Sequence, residues 1–157
     1  MGHEAEARQK AHEKALRLLE LRSRTRAELE RALRGKGHDA DIVEGVLDRL
    51  VELGLVDDAR FALDRARALG ERKGWGPRKL RADLRARGVA EQAVGDALEA
   101  AYGEEPIEDV ARRVLRRRFG DGILSEESGP KERARAVRFL VGRGFEAELA
   151  REILSGD

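Results

Sequence analysis

The sequence predicts an all-α fold: three tandem three-helix repeats forming an elongated, curved helical array. Of 157 residues, 41% are hydrophobic, 4% aromatic and 40% charged, too little apolar material for one thick core but enough for thin helical layers. Ala, Leu, Arg and Glu, all good helix formers, are in excess, and no stretch alternates apolar and polar residues as a half-buried strand does. Gly37, Gly88 and Gly144 sit in matching surroundings, spaced 51 and 56 residues apart, which marks internal repetition.

The first repeat, residues 5–56, opens with a helix over about 5–22. Thr25 and Glu28 then form a capping box, and Leu29 and Leu33 lay an apolar stripe that leads to Gly37, a residue suited to the position just past a helix end. Beyond it Ile42, Val43, Val46, Leu47, Leu50 and Leu53 share one helical face, within about 140° of arc. Asp41, Glu44, Asp48 and Glu52 face water on the other side.

The second repeat, residues 57–104, begins with Asp57 and Asp58 capping a helix over 57–72. Pro77 opens the next helix, whose Leu80 and Leu84 lead to Gly88, and Ala93, Val94, Ala97 and Leu98 continue the core beyond it. The third repeat, residues 105–157, starts at Pro106, with Ile107, Val110, Ala111, Val114, Leu115 and Phe119 on one face. The segment from Gly120 to Gly129 lengthens the connection and is expected to be a mobile loop. Pro130, Ala136, Leu140 and Gly144 repeat the middle helix, and Leu149, Ala150, Ile153 and Leu154 the last. Such units bury their apolar faces mainly on neighbours, hence the elongated shape.

The formal net charge is only +1, which argues against a nucleic-acid partner until charge is counted by segment. Residues 22–37, 72–88 and 131–144 sum to +4, +6 and +4; residues 38–54, 89–105 and 145–157 sum to −4, −5 and −3. Equivalent helices on equivalent sides of a stack would draw these blocks into one basic and one acidic ridge. The alternative is that the blocks neutralise each other and keep the surface soluble. Two details favour a ridge that meets a partner. Arg78 and Lys79 stand in the opening turn of their helix, where the macrodipole disfavours cations by roughly 0.3–1 kcal/mol each. Arg112, Arg113, Arg116 and Arg117 crowd the polar face of the helix from Ile107 to Phe119, where unpaired guanidiniums would repel unless an anionic partner completed them.

Other chemistry is sparse. With no cysteine, disulfides, zinc-thiolate sites and thiol catalysis are excluded. The stretch from Met1 to His12 has no apolar signal region, and nowhere do about eighteen apolar residues run together, so a cytosolic protein without membrane attachment is expected. The three histidines are scattered, and the Gly-Xaa-Gly pairs at 35 and 37, 74 and 76, and 142 and 144 precede no Lys-Ser or Lys-Thr. No cofactor, metal or catalytic site is therefore expected. Trp75 either packs between units or offers its ring to a base or a partner's pocket.

Several stretches resemble the RecX family of regulatory proteins. They are Arg22-Ser23-Arg24-Thr25-Arg26 with Glu28-Leu29, Leu55-Val56-Asp57-Asp58 with Arg60-Phe61-Ala62, Lys73-Gly74-Trp75-Gly76-Pro77 with Leu84 and Gly88-Val89, and Phe139-Leu140-Val141-Gly142-Arg143-Gly144-Phe145, spanning about residues 15–154 in the family's order. The sequence departs from the pattern at Ala59 and in the glycine-rich stretch after Phe119. The resemblance implies tandem three-helix units and a regulator, not an enzyme, that binds the RecA recombinase filament on single-stranded DNA. Such proteins lie along the filament groove and depress ATP hydrolysis, strand exchange and coprotease activity, affecting recombination and repair. Arg78, Lys79, Arg81, Arg85, Arg112, Arg113, Arg116 and Arg117 are the expected contacts with RecA or with single- or double-stranded DNA, and a monomer is expected. The rival readings are a duplex-DNA regulator using the helix pair around Gly37 as a helix-turn-helix, and a helical-repeat adaptor for another protein.

Overall fold

A computed structural model describes residues 2–155; residues 156 and 157, at the end of the third expected repeat, lie outside the described part, as does Met1. Among the described residues there are nine α-helices and no strand: α1 (Gly2–Leu21), α2 (Arg26–Gly35), α3 (Ala40–Glu52), α4 (Asp58–Lys73), α5 (Pro77–Ala86), α6 (Glu91–Tyr102), α7 (Ile107–Phe119), α8 (Pro130–Arg143) and α9 (Ala147–Ser155). None is long and apolar enough to cross a membrane.

Local chemistry sets most boundaries. The Thr25–Glu28 capping box is formed in both directions, Asp39 accepts from the Asp41 N–H, and Asp57 accepts from the Arg60 N–H. Each side chain takes up a first-turn donor that has no partner within its helix. Pro77 and Pro130 are the first residues of their helices, whereas Pro106 stands one residue earlier, at the cap of α7. The three repeated glycines end α2, α5 and α8 alike. Each glycine N–H bonds the carbonyl three residues back, and the following N–H, from His38, Val89 or Phe145, bonds the carbonyl five back. That pair of bonds needs a left-handed residue, and Gly37, Gly88 and Gly144 have φ of 90°, 82° and 100°.

Three separate cores result. Ala11, Ala15, Leu29, Leu33, Val43 and Leu47 anchor the first, Phe61, Ala62, Leu80, Leu84 and Val94 the second, and Val110, Leu115, Leu140, Phe145 and Ala150 the third. The expected stripes thus line these cores, with Ile42, Ala93, Ile107, Phe119 and Ile153 half-buried at their edges, and with one correction: Leu53 ends α3 and is 49% exposed. The Gly120–Gly129 segment is not the free loop expected. Asp121–Leu124 form a 3₁₀ turn that drives Ile123 into the third core, and buried Ser128 donates to the Ser125 carbonyl and accepts from Arg133 Nε. One apolar anchor and a satisfied hydroxyl hold it down.

Helices in extensive contact all belong to the same unit; the middle helices of successive units meet end-on. The Gly76 and Arg78 N–H groups at the start of α5 donate to the Arg143 and Gly144 carbonyls at the end of α8, at 2.6 and 2.9 Å. At the start of α2 the Thr25 hydroxyl donates to the Arg87 carbonyl at the end of α5 (2.6 Å), and the Arg26 N–H donates to Asp58 Oδ1 (2.9 Å). The two joints are alike: the carboxyl end of one middle helix caps the amino end of the middle helix before it. At the α8–α5 joint orphan carbonyls meet orphan N–H groups, whereas at the α5–α2 joint the carbonyl meets the Thr25 hydroxyl and the Arg26 N–H is taken up by Asp58 of α4; in both, the negative end of one helix dipole faces the positive end of the next.

Ion pairs reinforce the first joint. Glu28 takes Arg22 and, across the units, Arg87; Arg87 also bonds Asp83, which in turn holds Arg65. Burial alone would raise the pKa of Glu28, but the Arg22 hydrogen bond, the Thr25 N–H and the two guanidinium charges outweigh it and hold the carboxyl below its ordinary 4.5. Asp83 is likewise held below 3.8, with Arg65 and Arg87 overcoming burial. Carboxyls depressed in the folded state stabilise it fully above their unfolded pKa, and that contribution is lost as pH falls through the folded values. Glu28→Gln is therefore expected to cost about 1–2 kcal/mol at pH 7, since it removes hydrogen bonds to charged groups. Thermal melts from pH 7 to pH 3 should show the gap from the unaltered protein closing on acidification; a gap of constant width would disprove the linkage.

Candidate interaction surface

Because α2, α5 and α8 run end to end, the three basic blocks follow one another along the molecule, and α3, α6 and α9 carry the acidic blocks beside them. Some charge is exchanged between the two. Arg26 pairs with Asp48 (2.7 Å), Arg85 with Glu91 and Arg78 with Glu146 (3.1 Å). The Arg85–Glu91 hydrogen bond is the main cause that lowers the Glu91 pKa and raises that of Arg85. All three pairs are at least partly exposed, so solvent screens them and an incoming anion can compete.

The structure separates the eight expected contacts into two groups. Arg78, Arg85, Arg112 and Arg113 are in ion pairs, the last two with Asp109 (2.9 Å) and Glu105 (2.7 Å). The expected row of four unpaired guanidiniums on α7 is therefore half neutralised. Asp109 stands one turn before Arg112, and the chain ahead of α7 brings Glu105 back to Arg113. Lys79, Arg81, Arg116 and Arg117 have no carboxylate within ion-pair distance among the described residues. The cations opening α5 also have a structural reason. The carbonyl end of α8 abuts this turn and offsets its positive dipole, Arg78 meets Glu146, and Lys79 Nζ lies 4.6 Å from the Trp75 ring centre and 3.4 Å from the Gly142 carbonyl.

Trp75 packs half-buried against the second core, and its carbonyl accepts from the Tyr102 hydroxyl at 2.6 Å. Burial pushes the Tyr102 phenol up to about 12, so it remains a donor at neutral pH. A cleft of about 500 Å³ lies between α4, α6 and α7, but its Arg67, Arg113 and Arg117 alternate with Glu71, Glu104 and Glu105, so no single charge converges there. No group of three His, Cys, Asp or Glu able to hold a metal occurs among the described residues.

Sequence reasoning named Arg117 but missed the cluster of cations that converges on it. Arg72 and Lys73 at the end of α4 face Arg117 and Arg118 of α7 and Arg143 of α8 around a smaller cavity. Their positions in last helical turns were a signal of charge, but their convergence depends on how units two and three meet.

Comparison with known proteins bears on the whole chain. Residues 11–50, 57–98 and 106–154 match family models described as the first, second and third three-helix domains of RecX. The chain is 39% identical to the regulatory protein RecX of Halorhodospira halophila, covering 96% of this chain and 90% of that one, and 40% identical to that of Chromohalobacter salexigens, covering 90% and 88%. The crystal structure of RecX from Lactobacillus salivarius superposes with a TM-score of 0.74 at 21% identity, covering 96% of each chain.

Proposed function

The chain belongs to the RecX family of regulatory proteins, and from that premise we propose that it binds the RecA filament on single-stranded DNA and inhibits its ATPase, strand exchange and coprotease activities. It acts as a cytoplasmic, non-enzymatic monomer built of modules 5–56, 57–104 and 105–157. The observation that carries this reading is the repeated end-on joint, which strings three similar basic helices along one line. A periodic polymer offers the same surface again and again, so each module makes a similar weak contact and the joint effect grows through effective concentration. A duplex-reading role fits less well, because α3, the helix that would enter a groove, exposes Asp41, Glu44, Asp48 and Glu52.

Reversing Arg112, Arg113, Arg116 and Arg117 to glutamate is expected to raise the concentration needed for half-inhibition of single-stranded-DNA-dependent RecA ATPase about tenfold, with helical content by circular dichroism unchanged. That corresponds to roughly 1.4 kcal/mol spread over four contacts. Unaltered inhibition would remove this cluster from the mechanism. Titration below one copy per RecA protomer separates two modes of action: potent inhibition there means end-capping, and stoichiometric inhibition means groove coverage.

A further inference from the structure

The cavity between units two and three is a site of its own. It measures about 180 Å³, and Arg72, Lys73, Arg117, Arg118 and Arg143 line it with Phe139, without a single carboxylate. None of these five cations has an ion-pair partner among the described residues. This is uncommon in a chain whose charges nearly balance, since like charges held around one cavity repel.

The architecture fixes the cluster. A side chain at buried Gly74 would stand 3.1 Å from Val114, so the bare backbone there lets α7 lie close to the end of α4. Two guanidiniums cross from unit three to unit two and dock on the last carbonyls of α4: Arg117 on Glu71 (2.9 Å) and Arg143 on Lys73 (3.1 Å). Each spends one N–H on that anchor and keeps others free. The Phe139 ring holds Arg143 a second time and adds Arg118, at 5.0 and 5.9 Å from its centre, and is itself braced edge-on by Phe119 at 5.4 Å. The cations are therefore oriented before any ligand arrives, which lowers the entropy cost of binding.

We propose that this cavity is a phosphate-binding site, which seats a phosphoryl group of a nucleic-acid backbone or of a polyphosphate and so staples unit two to unit three. A single carboxylate, with one charge and two oxygens, cannot satisfy five cations. Phosphoryl oxyanions present several acceptors per group and further charges along a chain, and forked guanidiniums match them. Because the cations come from both units, a ligand held between them stabilises the joint in proportion to its occupancy.

The test needs no RecA, so its outcome is independent of the partner proposed above. Binding of inorganic tripolyphosphate and of a labelled oligo(dT) is measured by thermal shift and by anisotropy, with polyglutamate as the carboxylate comparison. Arg72→Glu combined with Arg118→Glu alters two exposed side chains that make no hydrogen bond in the fold. It is expected to weaken binding of both phosphate ligands at least tenfold, while Arg151→Glu on α9 changes it less than twofold. Tripolyphosphate binding without oligo(dT) binding would identify a small-anion site, and binding of both a backbone site; either supports phosphate recognition. Equal losses in the two variants, no binding of either ligand to the unaltered protein, or polyglutamate binding as tightly as oligo(dT) would each overturn it.

Discussion

Gly76→Ala is expected to destabilise the protein by about 3 kcal/mol, whereas Gly129→Ala should change stability by less than about 0.5 kcal/mol. Both glycines precede the proline that opens a middle helix, and both have ordinary extended backbone, with φ of −91° and −79°. Alanine adopts that conformation freely, and the residue before a proline favours it. The surroundings differ. A Cβ on Gly76 would stand 2.6 Å from the Gly144 carbonyl oxygen and 2.9 Å from Phe145, while one on Gly129 meets nothing within 4 Å. At Gly76 the methyl must push α8 away, straining the contact and loosening two hydrogen bonds; overpacking of this kind costs about 1–3 kcal/mol and each lost bond about 1 kcal/mol more. Urea unfolding measures the pair, and unit three should melt separately once the joint is sprung. If the two substitutions cost the same, the close approach at Gly76 plays no part in stability.

Thr25→Val should cost about 3 kcal/mol and Thr25→Ser less than about 1 kcal/mol. Thr25 is fully buried, and its hydroxyl accepts from the Glu28 N–H at 3.1 Å while donating to the Arg87 carbonyl at 2.6 Å. Valine keeps the shape and removes both bonds, so α2 loses its cap, at about 1 kcal/mol, and a part-buried carbonyl of the neighbouring unit loses a donor, at about 1–3 kcal/mol. Serine retains both. The readout is the urea midpoint at constant slope; a loss for serine as large as or larger than that for valine would mean that the hydroxyl is not the dominant group.

The repeat was readable in the sequence because its signals are local. Leu29 and Leu33, Leu80 and Leu84, and Ala136 and Leu140 recur at helical spacing before a glycine whose left-handed backbone no other residue adopts easily. The Thr25–Glu28 box lies within four residues. What could not be read was how ends meet, because the partners lie far apart in the chain: Arg87 is 62 residues from Thr25, and Gly144 is 68 from Gly76. A glycine at the cap gave no reliable clue, since Gly76 and Gly129 hold the same position before a proline and only the first is met by another backbone. Arg78 and Lys79 run against the macrodipole of α5 taken alone, and only the carbonyls of α8, more than sixty residues away, offset it. The Asp109–Arg112 pair, three residues apart on one helix, was open to inspection; the Glu105–Arg113 pair depended on the path of the preceding turn.

The end-on joint also makes the architecture extensible. Each middle helix is a socket at its start and a plug at its finish, so among the described residues one socket, at Gly129-Pro130, and one plug, at Gly37, carry no second middle helix, and a Cβ at either glycine would meet nothing within 4 Å. Adding length requires no new interface, only a further copy of the same plug. A designer grafting a fourth unit onto α9 would keep the Arg-Gly pair that ends α8 and find the seat for it already built.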